Sequence, residues 1–218
     1  MPRRFDLIVF DWDGTLIDSA GTIVACMQAA CRDLDLPVPD DATASHVIGL
    51  GLHDALAHVA PTLPRAEYGR MIDRYRVHFL ARDADLPLFA GTREMLSELR
   101  LRGHTLAIAT GKSRVGLARA LETTGLAASF AATRCADQCD PKPQPAMLHE
   151  LMEELDVAAD RTVMIGDTSH DLLMASNAGV AAVAVSYGAH PRESLAALQP
   201  LALIDSTTEL AAWLAANA

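Results

Sequence analysis

The sequence predicts an α/β protein: a parallel sheet flanked by helices, carrying an all-helical insert. Three observations predict it. Six short apolar runs, at 5–10, 105–109, 129–132, 161–165, 180–185 and 201–204, alternate with helical patterns over most of the chain. Residues 19–86 break that rhythm and contain no convincing strand. Four polar stretches rich in Asp, Thr and Lys each follow one of the runs, at the edge where an open parallel sheet gathers its ligands.

Taken in order, Leu7, Ile8, Val9 and Phe10 form a continuous apolar run, as a strand buried on both faces requires. The insert reads as helices over 19–35, 41–47, 51–60 and 64–82, with Ile23, Met27, Ala30 and Leu34 on one face of the first. The return loop from Asp83 to Gly91 contains a proline and a glycine, as a hinge does. The expected division is a core of residues 1–18 and 87–218 and a helical cap domain of residues 19–86. Past the insert, Met95, Leu96 and Leu99 share a helical face. Met147, Leu148, Leu151, Met152 and Leu155 form a second stripe, and a last helix over 207–215 turns Leu210, Trp213 and Leu214 inward.

A chain of 218 residues suits one large domain, or one domain with an insert. Half of the residues are hydrophobic, which supplies a sizeable core. The formal net charge is -10, and no Lys/Arg cluster interleaves with aromatics, which argues against nucleic acid and anionic membrane as partners. The basic Arg3-Arg4 start runs straight into a strand, without a signal peptide's apolar stretch. No apolar run approaches the ~20 residues of a membrane helix, so a cytoplasmic protein, monomeric or homodimeric, is expected. Cys26, Cys31, Cys135 and Cys139 form neither a zinc pattern nor a disulfide framework, and Cys26 and Cys31 read as small core residues.

The chemistry lies in the four polar stretches: Asp11-Trp12-Asp13-Gly14-Thr15, Thr110-Gly111-Lys112-Ser113, Asp140-Pro141-Lys142-Pro143 and Gly166-Asp167-Thr168-Ser169-His170-Asp171. Together they bring up to four carboxylates, two lysines and a hydroxyl to one edge. Carboxylates so crowded need a cation. Oxygen-only ligation without a His or Cys cluster favours a hard ion, and Mg²⁺ fits best. Beside it, Lys142, the Thr110 hydroxyl, a backbone N–H near Gly111 and the helix start at Ser113 suit a phosphoryl group. Asp11 and Asp13, two apart, point to one side. One can attack phosphorus while the other serves as acid and base. A Walker loop is not the explanation, because Leu106 stands where its leading glycine belongs.

These residues resemble the haloacid dehalogenase superfamily. Asp11-x-Asp13-Gly14-Thr15, Thr110, Lys142 and Gly166-Asp167-x-x-x-Asp171 match its four motifs in order over nearly the whole chain. The resemblance implies a Rossmann-like core, Mg²⁺ and an insert after the first motif. A helical insert there, and the segment Pro87-Leu-Phe-Ala-Gly91, are similar to phosphoglycolate phosphatase-like members. It implies Asp11 as nucleophile and metal ligand, and Asp13 as acid/base with its carbonyl on the metal. Thr110, Gly111 and Lys142 would hold the phosphate, Asp167 would ligate the metal, and Asp171 would support the metal's water shell or Lys142. Gly111 departs from the usual Asn, leaving only its backbone N–H for substrate. The expected activity is hydrolysis of a small phosphorylated metabolite. Asp13 argues against a true dehalogenase, the Lys-free segment 19–86 excludes a phosphonatase Schiff base, and Thr15 tilts away from a β-phosphoglucomutase-type phosphomutase. A phospho-accepting signalling domain is disfavoured by length and by Asp13.

Other residues carry weaker expectations. Trp12 reads as packed rather than stacked on substrate, and Gly49-Leu50-Gly51 as either a loop entering the site or an ordinary turn. Arg65, Arg70, Arg74 and Arg76 read as a solvated face rather than a carboxylate site. His46, His53 and His58 show no metal-ligand pattern. His170 is a secondary candidate to touch substrate, and Tyr187-Gly188 is expected to shape the rim.

Overall fold

The computed structural model describes residues 4–218, so Arg3 of the basic start lies outside the described residues. Leu7–Phe10 (β1) is buried at all four positions and forms the middle of a six-stranded sheet. Thr105–Thr110 (β2), Ala132–Cys135 (β3), Thr162–Gly166 (β4), Ala181–Val185 (β5) and Ala202–Ile204 (β6) complete it, in the order β3-β2-β1-β4-β5-β6. Every pairing is parallel, with Phe10 opposite Ile108 on one side and Ile165 on the other. The chain builds outward from β1 through β2 to β3, then crosses back to start β4 beside β1. That reversal opens a crevice beyond the carboxyl ends of β1 and β4.

Helices Thr92–Leu101 (α5), Arg114–Thr124 (α6), Ala146–Leu155 (α7), Ser169–Asn177 (α8), Arg192–Ala196 (α9) and Thr207–Asn217 (α10) flank the sheet. Strand alternation divides the core. Ile8, Phe10, Ile108 and Ile165 pack with Leu96, Leu117 and Leu210 on one face. Leu7, Val9, Ala107 and Met164 pack with Met147, Leu151 and Met174 on the other.

One strand expectation needs correction. The third strand was expected at 129–132 and lies at 132–135. Ala127–Ser129 is a single 3₁₀ turn, Phe130 packs into the core beside it, and pairing begins with Ala132 opposite Ala107. Arg134 hides the strand from an apolar reading. Its guanidinium pairs with Glu150 at 2.6 Å and Glu154 at 2.7 Å, so α7 neutralises a charge on the sheet.

Residues 19–86 contain no regular strand. They fold into Ala20–Asp33 (α1), Asp41–His46 (α2), Leu52–Val59 (α3) and Tyr68–Leu80 (α4). The last expected helix begins late, because Arg65–Glu67 is a 3₁₀ turn after Pro64. These helices share their own apolar cluster, including Met27, Ala30, Val47, Leu56 and Met71. The two crossings to the sheet are stitched together. Asp18 N–H donates to the Pro87 carbonyl at 2.9 Å, Phe89 N–H to the Leu16 carbonyl at 3.1 Å, and Ile17 pairs with Leu88 antiparallel. No helix among the described residues is long and apolar enough to cross a membrane.

Candidate active site

At the end of β1 the chain turns sharply. Leu16 and Ile17 N–H both point to the Trp12 carbonyl, and Gly14 adopts φ +83°. A side chain at Gly14 would be strained there and would collide with the Asp167 carboxylate. The turn therefore sets Asp11 against β4, whose last residue, Gly166, is followed by Asp167. Asp11 N–H donates to the Ile165 carbonyl at 2.9 Å.

Asp11, Asp167 and Asp171 form a fully buried cluster whose ligand oxygens lie within 4.8 Å of one another. Lys142 reaches into it from the loop before α7, with Nζ 2.6 Å from both Asp11 Oδ1 and Asp171 Oδ1. Asp167 accepts from the Thr15 hydroxyl and the Ala189 N–H, each at 2.7 Å. Asp171 Oδ2 accepts from the Thr168 N–H and hydroxyl, closing a capping box at the start of α8. Asp11 Oδ2 is buried and has no hydrogen-bond partner.

Burial pushes the Asp11 carboxyl up to about 7; Lys142 opposes that shift and Asp171 adds to it. Burial, then the charges of Asp11 and Asp171, also hold Asp167 well above the usual carboxylate range. Burial by itself would lower the Lys142 ammonium, but its paired carboxylates, Asp11 first, keep it raised. One cation thus faces three buried carboxyl groups, and their chemistry fits a further hard divalent ion.

Asp13 points elsewhere. Lys112 Nζ lies 3.0 Å from both of its oxygens, and the Ser19 hydroxyl donates to Oδ1 at 2.7 Å. Its carboxylate stands outside the Asp11 cluster, facing a cavity of about 400 Å³ between the sheet edge and α1, α3 and α4. Thr110, at the end of β2, and Gly111 also line it. Ser113 caps α6 by accepting from the Gly116 N–H at 3.2 Å.

The sequence-predicted residues thus fall into two groups that share Asp11: Lys142, Asp167 and Asp171 gather at its carboxylate, and Asp13, Thr110 and Gly111 line the cavity beside it. Asp140 is solvent-exposed and joins neither. Sequence reasoning assigned no role to Ser19 or to the Ala189 N–H, and gave Lys112 no partner. A small hydroxyl and a backbone group carry no composition signal, although Lys112 stood in a marked stretch.

Gly49-Leu50 enters the site: a Cβ on Gly111 would lie 2.5 Å from the Gly49 carbonyl oxygen. That contact accounts for glycine in place of asparagine. Trp12 is 0% exposed inside the core and cannot stack on a ligand. Arg65, Arg70 and Arg74 are exposed; Arg76, also exposed, borders the cavity. His170 bonds the His46 carbonyl at 2.8 Å and does not line the cavity. Tyr187-Gly188 buttresses the site from behind rather than forming its rim: Tyr187 Oη donates to the Thr15 carbonyl at 3.2 Å, and Gly188 leaves room for Asp167.

A parallel sheet of this order, with polar corners gathered at one edge and a helical insert after the first, defines an α/β enzyme class that acts on phosphate esters. The family description "haloacid dehalogenase-like hydrolase" matches residues 8–185, and the chain belongs to that family. "Probable phosphatase IndB" of Dickeya dadantii is 36% identical over 211 residues, covering 94% of this chain and 91% of that one. "Phosphoglycolate phosphatase" of Rhodospirillum rubrum is 35% identical, covering 98% and 91%. A hydrolase from Pseudomonas syringae shares the fold with a TM-score of 0.88 at 19% identity, covering 97% and 98%.

Proposed function

We propose that this chain is a Mg²⁺-dependent phosphatase that hydrolyses a small-molecule phosphate monoester through an aspartyl-phosphate. The observation that carries the reading is Asp11: buried, lining the cavity, and keeping Oδ2 without a hydrogen-bond partner beside two further buried carboxylates and Lys142. Asp11, Asp167 and the Asp13 carbonyl would hold the ion, with Asp171 supporting its water shell. When bound, Mg²⁺ supplies positive charge that offsets the crowded carboxylates and the phosphoryl oxygens.

In the first half-reaction Asp11 Oδ2 bonds to phosphorus as the bond to the leaving oxygen breaks, and Asp13 gives that oxygen a proton. In the second, Asp13 takes a proton from water, whose oxygen attacks phosphorus. The bond to Asp11 breaks, releasing inorganic phosphate and restoring the Asp11 carboxylate and the protonated Asp13. Lys142 spends two of its three N–H donors on Asp11 and Asp171, which leaves one for a phosphoryl oxygen. The Thr110 hydroxyl and Gly111 N–H complete the cradle, and residues 19–86 act as the cap over a core of 1–18 and 87–218. Relatives that bear the name phosphoglycolate phosphatase support phosphoglycolate as one candidate substrate.

Purified protein is expected to release phosphate from p-nitrophenyl phosphate with Mg²⁺. Asp11→Asn should lower kcat by about a thousandfold or more while the circular dichroism spectrum stays unchanged. Undiminished turnover in excess chelator, or transfer between sugar positions without phosphate release, overturns the reading.

A further inference from the structure

Resting on the phosphatase reading, we infer that the substrate's leaving group is an uncharged, mainly apolar chain or ring rather than a small carboxylate. The cavity beside Asp11 and Asp13 encloses about 400 Å³, within the roughly 300–1,000 Å³ that houses a whole organic ligand. A two-carbon acid would leave most of it empty. Its cap side is built from Ile23, Met27, Ile48, Leu50, Tyr75 and Phe79. The Tyr75 and Phe79 rings lie 5.7 Å apart at 21°, presenting one aromatic wall.

A carboxylate placed against that wall needs a cation, because an unpaired buried charge is costly. The bordering cations are committed or wet. Lys112 holds both oxygens of Asp13 and sits 4.6 Å over the Phe79 ring. Arg119 bonds Asp83 at 2.6 Å. Arg76 is 55% exposed and lies 3.8 Å from Asp73. Gly111, which lines the cavity, adds only backbone. The phosphoryl end of the pocket is thus charged and hydrogen-bonding, while the cap side of the leaving-group end is mainly apolar, with the neutral Tyr75 hydroxyl as its polar side-chain group.

The test is a series of n-alkyl monophosphates from ethyl to hexyl, whose leaving alcohols have similar basicity, set beside phosphoglycolate. With Mg²⁺, kcat/KM is expected to rise about fourfold per methylene until the cavity fills. Phosphoglycolate should do no better than ethyl phosphate. Leu50→Lys, which brings a cation to the half-buried loop, should flatten the series and favour phosphoglycolate. The rise in Tm caused by n-alkylphosphonates gives a readout that needs no turnover. Hydrolysis of p-nitrophenyl phosphate with a flat series, or with phosphoglycolate ahead of hexyl phosphate, overturns this inference and leaves the phosphatase reading standing. Chain-length-dependent Tm shifts without hydrolysis of any ester overturn the phosphatase reading instead. Failure of both measurements overturns both.

Discussion

Gly111 shows how a missing side chain shapes the site. The Gly49 carbonyl oxygen and the Leu50 carbonyl oxygen would lie 2.5 and 2.7 Å from any Cβ placed there. Both are backbone atoms and cannot swing aside as a side chain tip could. Gly111→Ala is therefore expected to displace the 47–51 loop, cost about 1–3 kcal/mol in urea unfolding and raise KM more than it lowers kcat. An unchanged unfolding midpoint would show that the loop yields freely. At this scale the sequence was most informative about charged residues. Asp11, Lys142, Asp167 and Asp171 announced themselves because carboxylates and a lysine have no cheap reason to crowd strand ends. Ser19, which bonds Asp13, and the Ala189 N–H, which bonds Asp167, were invisible. One is a common small residue and the other belongs to every peptide unit.

At the level of elements, α8 links helix formation to the site. Its capping box uses Thr168 and Asp171, and the same Asp171 holds Lys142 through its other oxygen. Thr168→Ala removes the hydroxyl that donates to Asp171 and accepts its N–H. The expected stability loss is about 1 kcal/mol in thermal unfolding. The phosphatase rate should fall by more than that loss explains, because Lys142 would no longer be anchored against a fixed carboxylate. Elements whose faces are apolar could be read directly: β1, β2 and β4, the Met147 stripe, and the α10 face of Leu210 and Leu214. β3 was displaced by three residues, because the polar Thr133 and Arg134 are paid for by neighbours distant in sequence. The short α9, Arg192–Ala196, buries only Leu195 and left no periodic trace.

Across the whole molecule, the helical segment and the sheet meet at a histidine junction away from the cavity. His170 Nε2 and His190 Nε2 both donate to the His46 carbonyl, while His190 Nδ1 accepts from the Ser169 N–H at 3.0 Å. His190 is thereby fixed as the neutral ring. Burial, then the adjacent His170, pushes it down to about 4, against an ordinary value near 6.5. Between these values the unfolded chain binds the extra proton and the folded one does not. Stability from this group is therefore present above about pH 6.5 and is lost as pH falls toward 4, on the order of 3 kcal/mol. His46, His170 and Asp171 also act on this ring, so the test is a difference: His190→Gln should show a shallower fall in Tm over that window than the parent protein. Equal slopes would remove the junction from the acid response.

The paired crossings at Leu16–Asp18 and Pro87–Phe89 carry a consequence for the history of such chains. Because the insert leaves and rejoins at one seam, a helical cassette of different length can be grafted there without disturbing strand order. Under the proposed function, contacts to the leaving group sit in the graft and the reacting carboxylates in the stock, so each can vary on its own schedule.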